Sequence, residues 1–459
     1  MFGLGRTGES SARSLIAGGA SVFAWDDEEA KRTLVQQQGA ATVAWSDWPW
    51  ESLGALVLSP GVPFTHPAPH PIVLRAKEAA VPVIGDFELF AREIRSDADR
   101  SLQAPTIAVT GTNGKSTTTA LIGHILNSSG YNAQIGGNIG NAVLELEPPA
   151  PRTVYVVETS TFQIDLAPGF SPDVALLLNL SPDHIDRHGS MDAYAAVKER
   201  LVRQTARRGQ VLIGVDDPYS AAIFTRASSA GGAAATPVSV GKVLGRGIFV
   251  VDGSLYDAQG QRATKVLELT KAEHLPGVHN WQNAAFAYAA CKPFVRDVRL
   301  ITDAILSFPG LAHRMEDVRR IGRVRYVNDS KATNGDATER ALACYSDIYW
   351  IAGGRAKEGG IAGLERYFSR VRKAYLIGEA ADQFAKSLHG KVDYVVSGTL
   401  AEAVVRAAAD AARSTAAEPV VLLSPACASY DQFRDFEARG NAFREVVAKM
   451  SPARVREAS

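Results

Sequence analysis

Apolar runs and polar stretches alternate along this chain with the spacing of strands and helices. In the first hundred residues, the runs at 21–25, 55–58 and 82–84 are short, apolar and bounded by turn-forming residues, which predicts buried strands. Residues 87–94 then predict a helix, and the polar stretch 95–104 a linker. A second series opens at Thr106, with strand-like runs at 106–109, 154–157, 174–178 and 211–213. Within it, residues 116–127 carry Ala120, Leu121, Ile122, Ile125 and Leu126 at helical positions, and 279–290 predicts another helix. Residues 227–237, ASSAGGAAATP, predict a small-residue loop or a disordered tip. Pro309-Gly310 marks a further boundary, after which 325–327, 348–351, 374–377, 392–396 and 420–423 predict a third set of strands. Strands alternating with helices imply an α/β class with mostly parallel sheets in three parts. Met1-Phe2-Gly3-Leu4-Gly5 has the pattern of the end of a first strand, so either the true start lies upstream or that strand is very short.

Length and composition narrow this picture only a little. The 459 residues suit three domains of roughly 150 residues each. Lys plus Arg number 49 and Asp plus Glu 49, so no global charge favours nucleic acid or a membrane surface. Cys291, Cys344 and Cys427 are too widely spaced for a disulfide framework or a zinc site, which favours a reducing, cytoplasmic setting. No signal peptide or membrane-spanning run is expected.

Candidate chemistry concentrates at predicted strand ends. Between the strand at 106–109 and the helix at 116–127 lies Thr110-Gly111-Thr112-Asn113-Gly114-Lys115-Ser116-Thr117. A glycine turn opening a helix lets backbone N–H groups close around an anion; Lys115 adds a charge, and Ser116 a hydroxyl for a phosphate-bound Mg2+. Val109 stands where the general phosphate loop has its first glycine, so this is the shortened form. Gly3-Leu4-Gly5-Arg6-Thr7-Gly8, with Asp26 some 20 residues on, is weaker. It fits an NAD or FAD site, a site for another nucleotide-like group, or simply a tight turn. Glu158 closes an apolar strand, where a carboxylate either holds Mg2+ or is merely solvated. The loop 179–189 contains Asp183, His184, Asp186 and His188, a metal site or a polar turn. On residue chemistry alone Lys198 is a surface lysine. Asn280 and Asn283 could read an adenine edge or cap a helix. Finally, 328–334, 353–357 and 424–433 are polar loops after three strands; any one alone could be an ordinary loop, but together they point to one crevice.

Taken together these motifs resemble the Mur ligase family over nearly the whole chain. Gly-Thr-Asn-Gly-Lys-Ser is shared with the wider superfamily, including folylpolyglutamate synthases. Asn328-Asp329-Ser330-Lys331-Ala332-Thr333-Asn334, 424–433 and Gly137-Asn138-Ile139-Gly140 resemble its D-glutamate-adding branch. The resemblance implies a Rossmann-like domain for a UDP-substrate at 1–98, a P-loop ATPase-like domain at 99–310 and a Rossmann-like amino-acid domain at 311–459. It implies that Gly111 to Thr117 wrap the ATP phosphates, and that Ser116 and Glu158 hold one Mg2+. His184 and a carbamylated Lys198 would hold a second, and Lys115, Glu158, His184 and Lys198 would form the catalytic set. Asn280 and Asn283 would approach adenine, and Arg314, Asp329 and Lys331 would meet ATP from the third domain. Arg6, Thr7, Asp26, Asp27, Ser59, Gly61 and Asn138 would contact UDP-N-acetylmuramoyl-L-alanine. Thr333, Lys357, Ser429 and Phe436 would surround D-glutamate. Tyr430 departs from the leucine often found there. The implied enzyme is a cytoplasmic, monomeric, ATP-dependent carbon–nitrogen ligase acting through an acyl phosphate. Another ligase of the superfamily, a nicotinamide-dependent oxidoreductase and a non-catalytic nucleotide-binding scaffold are the alternatives.

Overall fold

The computed structural model describes residues 1–96, 104–183, 185–356 and 359–450. The chain forms two compact units: Met1–Ala272 with Val278–Phe308, and Glu273–Gly277 with the chain from Pro309 on. Most of the linker expected at 95–104 lies outside the described residues; its first two residues end the helix Asp86–Ser96. No helix among the described residues is long and apolar enough to cross a membrane.

Among the described residues the first unit holds two sheets. In the smaller, Leu56–Val57 pairs in parallel with Val83–Ile84. Single parallel bridges add Phe2 beside Leu58, Trp25 beside Phe2, and Ala41 beside Phe23. The strand expected at 21–25 is therefore reduced to two bridges, because only the short stretch around Phe2 lies between it and Leu56–Val57. Leu56, Leu58, Ile72, Val73, Trp48 and Trp50 are buried together beneath this sheet.

Among the described residues, the larger sheet has nine strands. Its order is Thr264–Glu268, Ser254–Asp257, Ile248–Val251, Ala234–Val240, Gln210–Gly214, Val174–Leu177, Thr106–Thr110, Thr153–Glu158 and Asn132–Gly137. The first two pairings are antiparallel and the rest parallel. Thr106–Thr110 and Thr153–Glu158 are buried at every position, as central parallel strands covered on both faces must be. The loop predicted at 227–237 is confined to residues 230–233. Pro218–Ser229 is helical through 229, and Ala234–Val240 is a strand held between Gln210–Gly214 and Ile248–Val251. Pairing on both sides overrides the weak strand propensity of its alanines.

Among the described residues, the second unit is built on a six-stranded sheet ordered Glu316–Ile321, Val324–Asn328, Val420–Leu423, Ile348–Gly353, Val371–Ile377 and Tyr394–Gly398. All pairings but the first are parallel. Val324–Asn328, Val420–Leu423 and Ile348–Gly353 are neighbours, so the loops that follow them leave the same edge of the sheet.

Candidate active site

The phosphate loop runs from the buried strand Thr106–Thr110 into the helix Lys115–Ser128. Gly111 has φ +153° and Gly114 φ +84°, conformations that favour glycine. Packing excludes a side chain as well: a Cβ on Gly114 would stand 2.2 Å from Asn283 Oδ1. The loop is pinned by its neighbours. Thr112 N–H donates to Asn179 O (2.9 Å) and Asn113 N–H to Asn179 Oδ1 (2.9 Å). Thr112 Oγ1 accepts from Ser181 N–H (3.0 Å) and lies 3.1 Å from Tyr194 OH. Lys115 Nζ folds back onto the carbonyls of Gly111 and Thr112, both at 2.9 Å. Ser116 and Thr117 are buried in the first helical turn.

Two further groups converge on this loop. Glu158 ends the neighbouring strand opposite Val109. Its Oε1 accepts from Asn138 Nδ2 at 2.7 Å, while its Oε2 is buried with no partner. Lys198 is 2 % exposed, not the surface lysine that residue chemistry suggested. It sits on the inner face of the helix Met191–Gln204, and its Nζ donates to Gly111 O (2.9 Å) and Thr110 Oγ1 (3.2 Å). Burial, then the neighbouring Lys115, pushes its pKa well below the usual lysine value. Among the described residues no three His, Cys, Asp or Glu side chains converge to hold a metal; His184 lies outside those residues.

Asn280 and Asn283 lie on the helix Val278–Cys291 behind the loop. Asn283 Oδ1 accepts from Thr118 Oγ1 (3.2 Å) and its Nδ2 donates to Asn280 Oδ1 (3.1 Å).

At the smaller sheet, Gly3 and Gly8 are glycines for space. A Cβ on Gly8 would meet Gly3 O at 1.9 Å, and one on Gly3 would meet Ser59 Cβ at 2.7 Å. This brings the turn before the helix Arg6–Ala17 against the Ser59–Gly61 loop. Arg6 is exposed and Thr7 partly so. Asp26 accepts from Leu4 N–H (2.6 Å) and Glu28 N–H (3.0 Å). Burial acts to raise its pKa, but those N–H groups and Lys31 outweigh it and hold the carboxylate low. Asp27 is exposed beside it. Asn138 donates to Glu158.

In the second unit, Asp329 follows Val324–Asn328 and is fully enclosed. Its Oδ2 accepts from Ser424 Oγ (2.7 Å) and its Oδ1 from Met315 N–H (3.1 Å). Burial raises its pKa to about 7. Arg314 faces it electrostatically. Lys331 Nζ lies 5.6 Å over the Phe436 ring, and Thr333 is two residues further along the same loop. Ser429 is buried in the loop after Val420–Leu423. Three of the expected amino-acid residues thus share one sheet edge; the fourth, Lys357, lies outside the described residues.

Sequence reasoning missed Arg439, which is 1 % exposed. Its Nε donates to Ser330 Oγ (2.9 Å) and its Nη2 to Ser330 O (2.8 Å) and Cys427 O (3.1 Å), tying two of the loops together. Burial lowers its pKa to about 10. The available signal was an arginine on the same helical face as Gly440, Phe443 and Val447, which are all buried.

A parallel sheet whose strand ends carry a short phosphate loop, a buried acid and a buried lysine defines a nucleotide-dependent enzyme of the α/β class. Family profiles agree: the Mur ligase middle domain matches residues 109–291, and the Mur ligase glutamate ligase domain residues 313–427. The chain belongs to the Mur ligase family. It is 52 % identical over 447 residues to UDP-N-acetylmuramoylalanine–D-glutamate ligase of Caulobacter vibrioides, covering 97 % of this chain and 94 % of that one. The same-named protein of Phenylobacterium zucineum is 51 % identical over 451 residues, covering 98 % and 96 %. Among solved structures, UDP-N-acetylmuramate–alanine ligase MurC of Thermotoga maritima shares the fold, with TM-score 0.57, 18 % identity and coverage of 97 % and 98 %. MurF of Acinetobacter baumannii does so with TM-score 0.58, 19 % identity and coverage of 80 % and 82 %.

Proposed function

We propose that the protein is an ATP-dependent ligase that joins D-glutamate to UDP-N-acetylmuramoyl-L-alanine in peptidoglycan precursor synthesis. The observation that carries this is the convergence of Glu158 and buried Lys198 on the phosphate loop, in a chain that also has Asn328–Asn334 after a strand of its second sheet. Three domains follow in this reading. A Rossmann-like domain at 1–98 takes the UDP-substrate, a P-loop domain at 99–310 takes ATP, and a Rossmann-like domain at 311–459 takes the amino acid. The protein works as a cytoplasmic monomer.

A carboxylate is a poor acyl donor at neutral pH. The alanyl carboxylate attacks the γ-phosphorus of ATP, giving an acyl phosphate and ADP. The D-glutamate amine then attacks the acyl carbon through a tetrahedral intermediate, losing a proton, and inorganic phosphate leaves. The chain's part is to position these groups and offset their charge. Loop N–H groups from Gly111 to Thr117 hold phosphate oxygens, and Lys115 swings from its own loop carbonyls to the transferred group. Arg6, Thr7, Asp26, Asp27, Ser59, Gly61 and Asn138 serve the UDP-substrate. Asn280, Asn283, Arg314, Asp329 and Lys331 serve ATP, and Thr333, Lys357, Ser429 and Phe436 serve D-glutamate.

The donor set fits Mg2+. The unpartnered, buried Glu158 Oε2 and the Ser116 hydroxyl are hard oxygen ligands beside the phosphate loop. Lys198, its pKa lowered by burial, is the amine that CO2 would modify, and as a carbamate it would offer two more such oxygens, with His184 as the nitrogen ligand. Two Mg2+ ions bound there would neutralise repulsion between carboxylate and γ-phosphate. The test is ATP-dependent phosphate release with UDP-N-acetylmuramoyl-L-alanine and each of D-glutamate, L-lysine and D-alanine. Release with D-glutamate alone is expected. Release with L-lysine or D-alanine instead would assign the chain to another ligase of the superfamily.

A further inference from the structure

One buried residue beside this site is not used by the mechanism. His188 ends the short helix Ile185–His188 and is 4 % exposed. Its ring stacks on Phe162, with centroids 5.7 Å apart and planes 8° from parallel, and packs on Tyr194 at 5.3 Å. Its Nε2 lies 2.9 Å from Thr161 Oγ1, which fixes the ring in its plane. Each neighbour leads into the site. Phe162 and Thr161 begin the helix Thr161–Asp165, three and four residues after Glu158. Tyr194 carries its hydroxyl to Thr112 Oγ1, and its ring lies 5.0 Å from Lys198 Nζ. On the far side, the Arg187 guanidinium lies 4.5 Å over Phe162 and donates to Gly61 O and Val62 O in the Ser59 loop.

We propose that His188 is a positioning residue for the ligase reaction: stacked on Phe162 and packed against Tyr194, its ring sets Tyr194, and through Tyr194 the phosphate loop and Lys198. The physical reason is shape. Tyr194 has one hydroxyl contact at its tip, so its angle depends on what fills the space against its face. A flat ring stacked on Phe162 supplies a rigid wall, and an aliphatic side chain of similar volume supplies a soft one. Misplacing Thr112 or Lys198 by a fraction of an ångström would weaken transition-state stabilisation more than substrate binding.

The inference rests on the ligase reading, so its test has one readout independent of turnover. His188→Leu keeps the volume and removes the ring; His188→Phe keeps the ring and removes the bond to Thr161. In steady-state assays His188→Leu should lower kcat at least about tenfold with KM for D-glutamate within about threefold of wild type, and His188→Phe should retain kcat within about threefold. By calorimetry with a non-hydrolysable ATP analogue and Mg2+, Leu should weaken binding about fivefold or more, and Phe less than about twofold. Wild-type values in His188→Leu would overturn the proposal. So would equal losses in Leu and Phe, because the ring would then not be what matters. If the wild-type protein shows no D-glutamate-dependent turnover, the ligase reading fails, and the analogue affinities still decide the role of His188. Should His188→Leu unfold, Phe162→Leu takes its place by removing the ring on which His188 stacks: a loss of kcat of about tenfold or more upholds positioning through the stack, and wild-type kcat overturns it.

Discussion

Lys198 is buried, and its Nζ rests on Thr110 and Gly111. An ammonium in that place is disfavoured by burial and by Lys115, which outweigh the charges of Asp183 and Glu158 and hold its pKa well below the usual lysine value. If it works as a carbamate, Lys198→Ala removes a metal ligand, and short carboxylic acids should restore part of its activity. Lys198→Arg should not be rescued, because its permanent charge repels Mg2+. Full activity in Lys198→Arg would return Lys198 to a structural role. Lys115 acts by charge instead, and Lys115→Ala should lower kcat at least about a hundredfold; near-normal turnover would remove it from the catalytic set. Asp329 makes a pH prediction. Its pKa, about 7 in the folded protein, is above the usual 3.8. The folded state therefore keeps a proton that the unfolded chain loses. The associated stability is fully present below about pH 4 and is lost as pH rises to about 7. Asp329→Asn has no such proton, so its stability relative to wild type should improve between pH 5 and 7.5, by about 2–4 kcal/mol in urea unfolding. A difference independent of pH would contradict the raised pKa.

At the level of elements, what sequence revealed was local. The phosphate loop is legible because a strand, two glycines, a lysine and a helix follow one another, and each has its own backbone reason. Gly114 shows the limit. Its φ follows from the turn, but the Asn283 amide 2.2 Å from its missing Cβ comes from 169 residues away. Gly114→Ala therefore combines left-handed strain with a clash, and should weaken ATP-analogue binding at least about tenfold. Unchanged affinity would mean that the loop is softer than its packing suggests. The strand Ala234–Val240 was hidden for the opposite reason, since its alanines and glycine-rich approach have no strand signal without their partners. Arg439 was hidden because a polar side chain on a buried face looks like any surface residue until its neighbours are known, and His188, read in sequence as part of a metal site or a polar turn, is packed between aromatic rings.

At the scale of the molecule, the expectation of an α/β chain with parallel sheets was sound, because alternation of strand and helix is written along the whole sequence. The residues assigned to ATP phosphates and the UDP-substrate lie on the first unit, and those assigned to D-glutamate on the second. Neither assignment alone distinguishes a ligase from a nucleotide-binding scaffold; the transfer of one oxygen does. If the alanyl carboxylate of UDP-N-acetylmuramoyl-L-alanine is labelled with 18O, activation as an acyl phosphate leaves one labelled oxygen bridging carbon and phosphorus. Attack by D-glutamate then expels it with the phosphate. Mass spectrometry of the inorganic phosphate from a D-glutamate-dependent turnover should show one 18O per molecule. Unlabelled phosphate alongside the amide product would contradict activation of the substrate carboxylate by ATP.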